Sequence, residues 1–386
     1  MKYQNTIIRQ LLDFFPRDVF QKIADKYQGD RYSKRFKCWH QFASIFYAQL
    51  RQRDCLREIE TGLEAQANKL YHLGLIPVKR STLADANSRI DYRIYEEAFH
   101  YLLAKCQFIA KNKLKFENPI CSLDSSTISL CYSLYPWAKY RTQKGAIKLH
   151  MCLDHAGYLP DFVTITEGKA SDLTVAKAFS FSPDSILVFD RGYTSYEWFY
   201  ELHRKGITFV TRVKKNFAYR LVGQHPVDAE SNVIADEDIL VPSSKCHKKK
   251  TYLKPLRLVT YQDPDSGKIL EFLTNNETFK PETIALIYKQ RWQIELFFKW
   301  IKQRLIIKSF IGTSKNAVFS QIWIALMVYL LIWYIKHQTS FNFSLTKLTR
   351  ILNESAFERR PLLDILGKRK LPSAFSPFTQ LAFAFG

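Results

Sequence analysis

The apolar positions of this chain change period near residue 116. Before it, "DVFQKIADKY", "WHQFASIFYAQL", "CLREIETGLEA" and "DYRIYEEAFHYLLAKCQFIAKNKL" place apolar residues at helical spacing, with no strand-like run among them. The stretch from Leu56 to Ile90 reads as a helix, a Gly/Pro-containing break, and a second helix capped by Ser81 or Thr82. Helix-turn-helix readers of DNA have that pattern, and so do ordinary helical pairs. Beyond 116 the grammar is strand, strand, strand, helix, strand, helix, strand: "PICSLDSSTISLCY", then "AIKLHMCLDHAGYLPDFVTITEG" as two strands joined at His155-Ala156-Gly157, then "DLTVAKAFSF", "SILVFD", "SYEWFYELHRKG" ending at Gly206, and "ITFVTRVK". Three strands joined by tight turns and then alternating with helices predict an α/β fold, a mixed sheet covered by helices.

Between about 215 and 280 the chain turns polar and strand-rich, in "YRLVG", "KTYLKPLRLVTYQ" and "KILEFLTNN", with a turn at Asp263-Pro264-Asp265-Ser266-Gly267. This reads as an all-β insertion. "YKQRWQIELFFKWIKQ" at 288–303 follows as one helix. At about 100° per residue, Tyr288, Arg291, Glu295 and Lys302 share one narrow stripe, while Ile287, Ile294, Phe297, Trp300 and Ile301 fill other faces. A Glu in such a helix needs a partner. Arg291 at i, i+4 is one candidate, and a bound cation is another. The longest apolar run, "IWIALMVYLLIWYI" at 322–335, falls short of the roughly 20 residues that a membrane span needs, and is expected to be a core helix. The four expected segments are 1–115 (helical), 116–214 with 281–340 (the sheet and its helices), 215–280 (β insertion) and 341–386, whose tail "LPSAFSPFTQLAFAFG" is uninformative.

Charge narrows the function. The 57 Lys+Arg against 36 Asp+Glu give a formal +21, with 15% aromatic residues, which points to a polyanion, nucleic acid before an anionic membrane surface. The cluster "RYSKRFK" at 31–37 suits phosphate contact or simple solvation. Seven cysteines (38, 55, 106, 121, 131, 152, 246) without C-x-x-C spacing argue for a reducing cytoplasm and against a disulfide frame or zinc site. No secretory signal is expected in "MKYQNTIIRQLLDFF".

Two acids sit on expected strands. Asp124 lies in "SLDSST", and Asp190 ends "SILVFD" before Arg191-Gly192-Tyr193. Acids at strand ends are common as site residues and equally as turn or cap residues. With Glu295 they form a set of three suited to Mg²⁺, a hard cation that takes oxygen ligands together with substrate phosphate. Two such ions support in-line displacement at phosphorus. Arg291 and Lys302 would then bind the phosphate.

Tyr288-x2-Arg291-x3-Glu295-x6-Lys302 resembles the Tyr-Arg-Glu-Lys signature of the IS-four family of bacterial insertion-sequence transposases, whose catalytic core is a ribonuclease-H-like DDE domain. "SLDSST" and "VFDRGYTS" are similar to the segments carrying that family's two aspartates, "KGAIKLH…DHAGYLP" to the hairpin between them, and the β insertion stands where the family places one. "CWHQFASIFYAQLRQRDCLREIE" and "KLYHLGLIPVKRSTLADAN" resemble the helical domain preceding the core in one branch. The match spans about 20 to 335, with no departure at the signature positions.

The resemblance implies Asp124, Asp190 and Glu295 as metal ligands for two Mg²⁺, with Mn²⁺ able to substitute. It implies Tyr288, Arg291 and Lys302 as DNA contacts, with Tyr193, Arg212 and Lys214 as weaker candidates for the same groove. His150 and Trp292 read as structural. The implied partners are double-stranded DNA, as the element's terminal inverted repeats and its target, and a second copy in a synaptic homodimer; no membrane is involved. The expected setting is the bacterial cytoplasm, at the nucleoid. The rivals are a nuclease of the same fold without strand transfer, and a non-catalytic DNA-binding relative.

Overall fold

The computed structural model describes residues 5–113, 119–141, 144–155, 157–214, 217–241, 254–339 and 344–366. Ala156, Cys246, Lys250 to Leu253 and the tail from 367 onward, on which some of the expectations above fall, lie outside them. The chain forms two compact units, Met1–Cys106 with Ile301–Gly386, and Gln107–Trp300. Composition placed the corresponding boundaries near 115 and 340.

In the second unit, β1 (Ile120–Leu130), β3 (Lys144–Asp154), β4 (Leu159–Glu167), β5 (Ile186–Phe189) and β6 (Thr208–Arg212) pair in the order β4-β3-β1-β5-β6. The β4-β3-β1 ladders are antiparallel, whereas β1-β5-β6 are parallel. The parallel steps need crossovers, supplied by α7 (Asp172–Lys177) and α8 (Tyr196–Arg204). Ser195 caps α8 by accepting from Trp198 N, and Gly206 closes it at φ +71°, a left-handed angle natural to glycine. This mixed sheet of three antiparallel and two parallel strands is ribonuclease-H-like.

The insertion strands continue the sheet. β10 (Ile269–Thr274) pairs with β6, followed by β9 (Leu256–Gln262), β8 (Val233–Leu240) and β7 (Arg220–Gln224), making ten strands with the short β2 (Lys139–Arg141). Inside this extension Arg257 Nε and Nη2 donate to the two oxygens of Asp236 at 2.7 and 2.6 Å, both residues being buried. Arg257 Nη1 also donates to the Phe279 carbonyl at 2.6 Å, just before α9 (Pro281–Gln290).

The expected single helix at 288–303 is two. α9 ends at Gln290 and α10 spans Trp292–Arg304. At the junction Arg291 N donates to Tyr288 O at 3.0 Å and Ile294 N to Arg291 O at 3.2 Å. These three-residue bonds tighten the turn and break the uniform wheel. Ile287, Ile294, Phe297 and Ile301 are buried as expected, but Trp292 is 55% exposed.

In the first unit, Phe15, Phe20, Trp39, Phe42 and Tyr95 pack ring against ring. α11 (Lys315–Gln338) packs on α3 (Cys38–Arg51) and α5 (Arg80–Arg89). It is apolar enough to cross a membrane by length and composition, and 94% of its most apolar window is buried within the protein. α5 begins at Arg80, so Ser81 and Thr82 lie in its first turn and cap nothing. Glu60 on α4 (Leu56–Glu64) supplies the acceptor, taking a bond from Arg80 N at 3.3 Å and pairing with Lys79 at 3.2 Å. Residues 65–79, with a 3-10 turn at Ala67–Leu73, separate α4 from α5, a longer connection than the three or four residues typical of a helix-turn-helix.

Cys38, Cys55, Cys106, Cys121, Cys131 and Cys152 are free. Cys121 and Cys152 meet across β1 and β3 with Asp161, their ligand atoms all within 4.8 Å. Linear cysteine spacing could not show this.

Candidate active site

The parallel register of β1 and β5 sets Leu123 beside Phe189. Asp124 and Asp190, each the next residue, therefore stand level on neighbouring strands, whose axes are roughly 4.8 Å apart. Leu123 and Phe189 belong to the core packed with Trp198 and Phe199 of α8, while Val188 belongs to the opposite face with Ile284 and Ile287 of α9. Side chains alternate along a strand, so the two aspartates fall on the face that carries α9 and the start of α10.

Glu295 comes from that start. Arg291 Nη2 donates to Glu295 Oε1 at 2.5 Å, and Arg291 Nη1 lies 3.8 Å from Asp124 Oδ2. One guanidinium thus stands between two of the three acids. Burial raises the Asp124 carboxyl to about 6, opposed by the Ser125 N–H and Arg291 and reinforced by the negative charges of Asp190 and Glu295. Asp190 Oδ1 accepts from Gly192 N at 2.7 Å. A Cβ on Gly192 would sit 2.8 Å from that oxygen.

Tyr288 packs its ring on Phe272 at 5.0 Å and lies under the Arg291 guanidinium at 5.7 Å. Burial raises its phenol, and Arg291 and Arg212 oppose the shift. Arg212 sits on β6 opposite Phe272, so Tyr288, Arg291 and Arg212 are brought together beside the acids. Lys214 is exposed beyond the end of β6. Lys302 is half-buried farther along α10, in the part belonging to the helical unit, and desolvation lowers its pKa. Tyr193 is 3% exposed; burial, chiefly, raises its phenol, and a hydrogen bond with the Ser125 side chain opposes the shift. Its position is one of packing under Asp124 and Asp190.

The donor set fits a hard divalent cation: three carboxylates, with cations and a phenol alongside for phosphate. Among the described residues, the groups whose ligand atoms all lie within 4.8 Å of one another are Cys121, Cys152 and Asp161, and Asp54, Cys55 and Glu58. The three acids are set wider. Sequence reasoning missed a polar cluster on the other face of the sheet: Lys148 Nζ lies 3.1 Å from Asp172 Oδ1, His150 Nδ1 lies 3.4 Å from the same oxygen, and His150 Nε2 bonds Thr166 Oγ1 at 2.8 Å. His150 is the cross-strand partner of Ser125, a relation visible only once the register is known.

Residues 115–331 match the family model described as a transposase DDE domain, and residues 3–76 match one described only as a domain of unknown function. The chain is similar to a Sinorhizobium fredii protein provisionally named transposase y4zB, with 30% identity over 286 residues, 73% of this chain and 79% of the relative. It is also similar to the probable transposase for insertion sequence element IS5377 of Geobacillus stearothermophilus, 28% identical over 277 residues and 71% of each chain. A Synechocystis protein provisionally named as the transposase for insertion sequence element IS4SA is 25% identical over 334 residues, 84% of this chain and 86% of the relative. With more than half its length in the DDE-domain match and its acids on a ribonuclease-H-like sheet, the chain belongs to the DDE-domain transposases, enzymes that act on DNA.

Proposed function

We propose that this transposase cuts DNA at the ends of an insertion element by metal-assisted hydrolysis and then joins the freed 3′-hydroxyl to target DNA. The observation that carries this is the register of Leu123 with Phe189, which sets Asp124 and Asp190 level on the face where Glu295 arrives. These three carboxylates would hold two Mg²⁺, with Mn²⁺ as a substitute. Such ions supply Lewis acidity at phosphorus and activate the attacking hydroxyl. Arg291, Arg212 and Tyr288 orient the phosphate from one side of the acids, with Lys214 and Lys302 as further cationic contacts. Asp190 is held by the Gly192 N–H, and Tyr193 positions the backbone from beneath.

The helical segment binds the element's terminal inverted repeats, the strands after residue 215 serve as the insertion of the catalytic core, and two copies pair two ends in a homodimer. The setting is the bacterial cytoplasm, at the nucleoid. The test incubates purified protein with Mg²⁺ and a labelled duplex carrying the element's terminal repeat, alongside Glu295→Gln. Nicking at the element boundary by the wild type alone supports the metal-carboxylate reading. Binding without nicking in both proteins overturns it in favour of a non-catalytic reader, and equal nicking by both removes Glu295 from the mechanism. Adding target DNA separates joining from hydrolysis, since a nuclease of the same fold gives no joined product.

A further inference from the structure

The helical unit carries a basic surface built from two separate parts of the sequence. Residues 31–37 hold Arg31, Lys34, Arg35 and Lys37 and no acid, and all four cations are exposed. The loop is anchored. Phe36 is 8% exposed with its ring 5.5 Å from His40, and Ser33 Oγ donates to the Phe36 carbonyl at 3.1 Å. Asp30, the neighbouring acid, is directed inward, where its Oδ1 accepts from Cys38 N at 2.6 Å at the start of α3. The loop therefore presents cations outward from a fixed backbone.

Arg89 Nη2 of α5 donates to Ser33 Oγ at 3.1 Å, which ties the loop to that helix. α5 buries Leu83, Ala86 and Asn87, the last accepting from Gln41 Nε2 at 2.7 Å. Its outer side carries Arg80, Ser81, Thr82, Asp85, Ser88 and Arg89. Asp85 pairs with Arg89 at 3.6 Å, and Glu60 with Lys79 at 3.2 Å, so both nearby acids are partnered. A slim helical face of hydroxyls flanked by cations suits the major groove of B-form DNA, which admits a helix. It suits A-form RNA poorly, because that major groove is too narrow. It also suits a membrane surface poorly, because the exposed side of α5 offers no large apolar side chain.

We propose that loop 31–37 and the outer face of α5 form one duplex-DNA contact surface. In it Arg31, Lys34, Arg35 and Lys37 hold backbone phosphates, and Ser81, Thr82 and Ser88 approach base edges. The proposal rests on the transposase reading, uses none of the three acids, and gives the region of unknown function, through loop 31–37, a part in DNA contact.

The test is anisotropy of labelled duplexes, one carrying the element's terminal repeat and one scrambled, titrated with the full-length protein at several salt concentrations. Replacing all four loop cations with Ala is expected to make log K against log salt shallower by about 2 to 4 units, at roughly 0.9 per phosphate contact, and to weaken both duplexes alike. Arg35→Glu, a single change at an exposed position, reads the same slope if the fourfold variant does not fold. Ser81→Ala with Thr82→Ala is expected to leave the slope and cut the preference for the terminal repeat by about 10-fold. An unchanged slope in the loop variants, or equal affinity for an RNA duplex, overturns the proposal. Mg²⁺-dependent nicking together with an unchanged slope would sink this surface alone. A lost slope with no nicking by the wild type would sink the catalytic reading alone.

Discussion

Arg291 reaches Glu295 at 2.5 Å and, with its other terminal nitrogen, comes within 3.8 Å of Asp124. An isolated i, i+4 pair on a solvated face contributes only a few tenths of a kcal/mol, yet this guanidinium is 16% exposed and spans two acids. It screens the charge of the acid set while reducing what a divalent cation gains by binding there. Arg291→Ala is therefore expected to lower the Mg²⁺ concentration giving half-maximal nicking while slowing nicking by about 10² to 10³, the range for losing a donor that stabilises developing charge. Metal titrations of the nicking rate check both numbers. If the residue only closed a surface salt bridge, neither would move.

Gly192 is placed where a side chain would disturb Asp190. Its N–H holds Asp190 Oδ1, and a Cβ would crowd that oxygen at 2.8 Å. Gly192→Ala should leave the fold intact, because the contact is with one short side chain, but should displace the carboxylate. Displacements near 1 Å cost on the order of 10²-fold in rate. Thermal melting unchanged within a few degrees, with nicking reduced to that extent, is the expected pair of results.

The buried pair in the sheet extension makes a separate claim about stability. Arg257 and Asp236 face each other bidentately, and Arg257 also holds the Phe279 carbonyl ahead of α9. Asp236→Ala leaves a buried, unpaired guanidinium, expected to cost about 3 to 5 kcal/mol. Asp236→Leu combined with Arg257→Met should recover most of that loss by replacing the ion pair with apolar packing. Urea unfolding of the two variants against the wild type reads the difference.

The order of strands and helices was legible because each carried its own period: "SILVFD" as a buried strand ending in Asp190, and "SYEWFYELHRKG" as a helix with its terminal glycine; that Asp124 and Asp190 stand level needed the register of β1 with β5. What was not legible depends on partners distant in sequence. The break at Arg291 is a local tightening inside an otherwise helical pattern, which a wheel of constant pitch cannot show. The start of α5 is set by Glu60, twenty residues upstream, rather than by the hydroxyls beside it. Tyr193 follows Asp190 as a plausible groove residue, but the turn buries it against Phe189. The joining of β10 to β6 depends on a free sheet edge, which no local pattern records.

His150 was read as structural from sequence, and its surroundings give that reading a measurable sign. Its ring is 1% exposed and bonded to Thr166. Burial lowers its pKa from 6.5 to about 4, with Lys148 lowering it further and Asp172 opposing. At neutral pH the ring is therefore uncharged, and its 3.4 Å approach to Asp172 is not an ion pair. Because the folded pKa lies below the unfolded one, the unfolded chain takes up the proton first as pH falls. Stability is then present above pH 6.5 and lost progressively toward pH 4, by about 3 kcal/mol at most from this residue. His155, bonded to Ser122 and likewise lowered to about 4, adds in the same direction. His150→Gln should make the change of urea midpoint between pH 7 and pH 4.5 less unfavourable toward acid than in the wild type, by this residue's share. An identical pH slope in the variant would mean that His150 titrates alike in the folded and unfolded chain, and a steeper fall in the variant would mean that its contact with Asp172 is an ion pair.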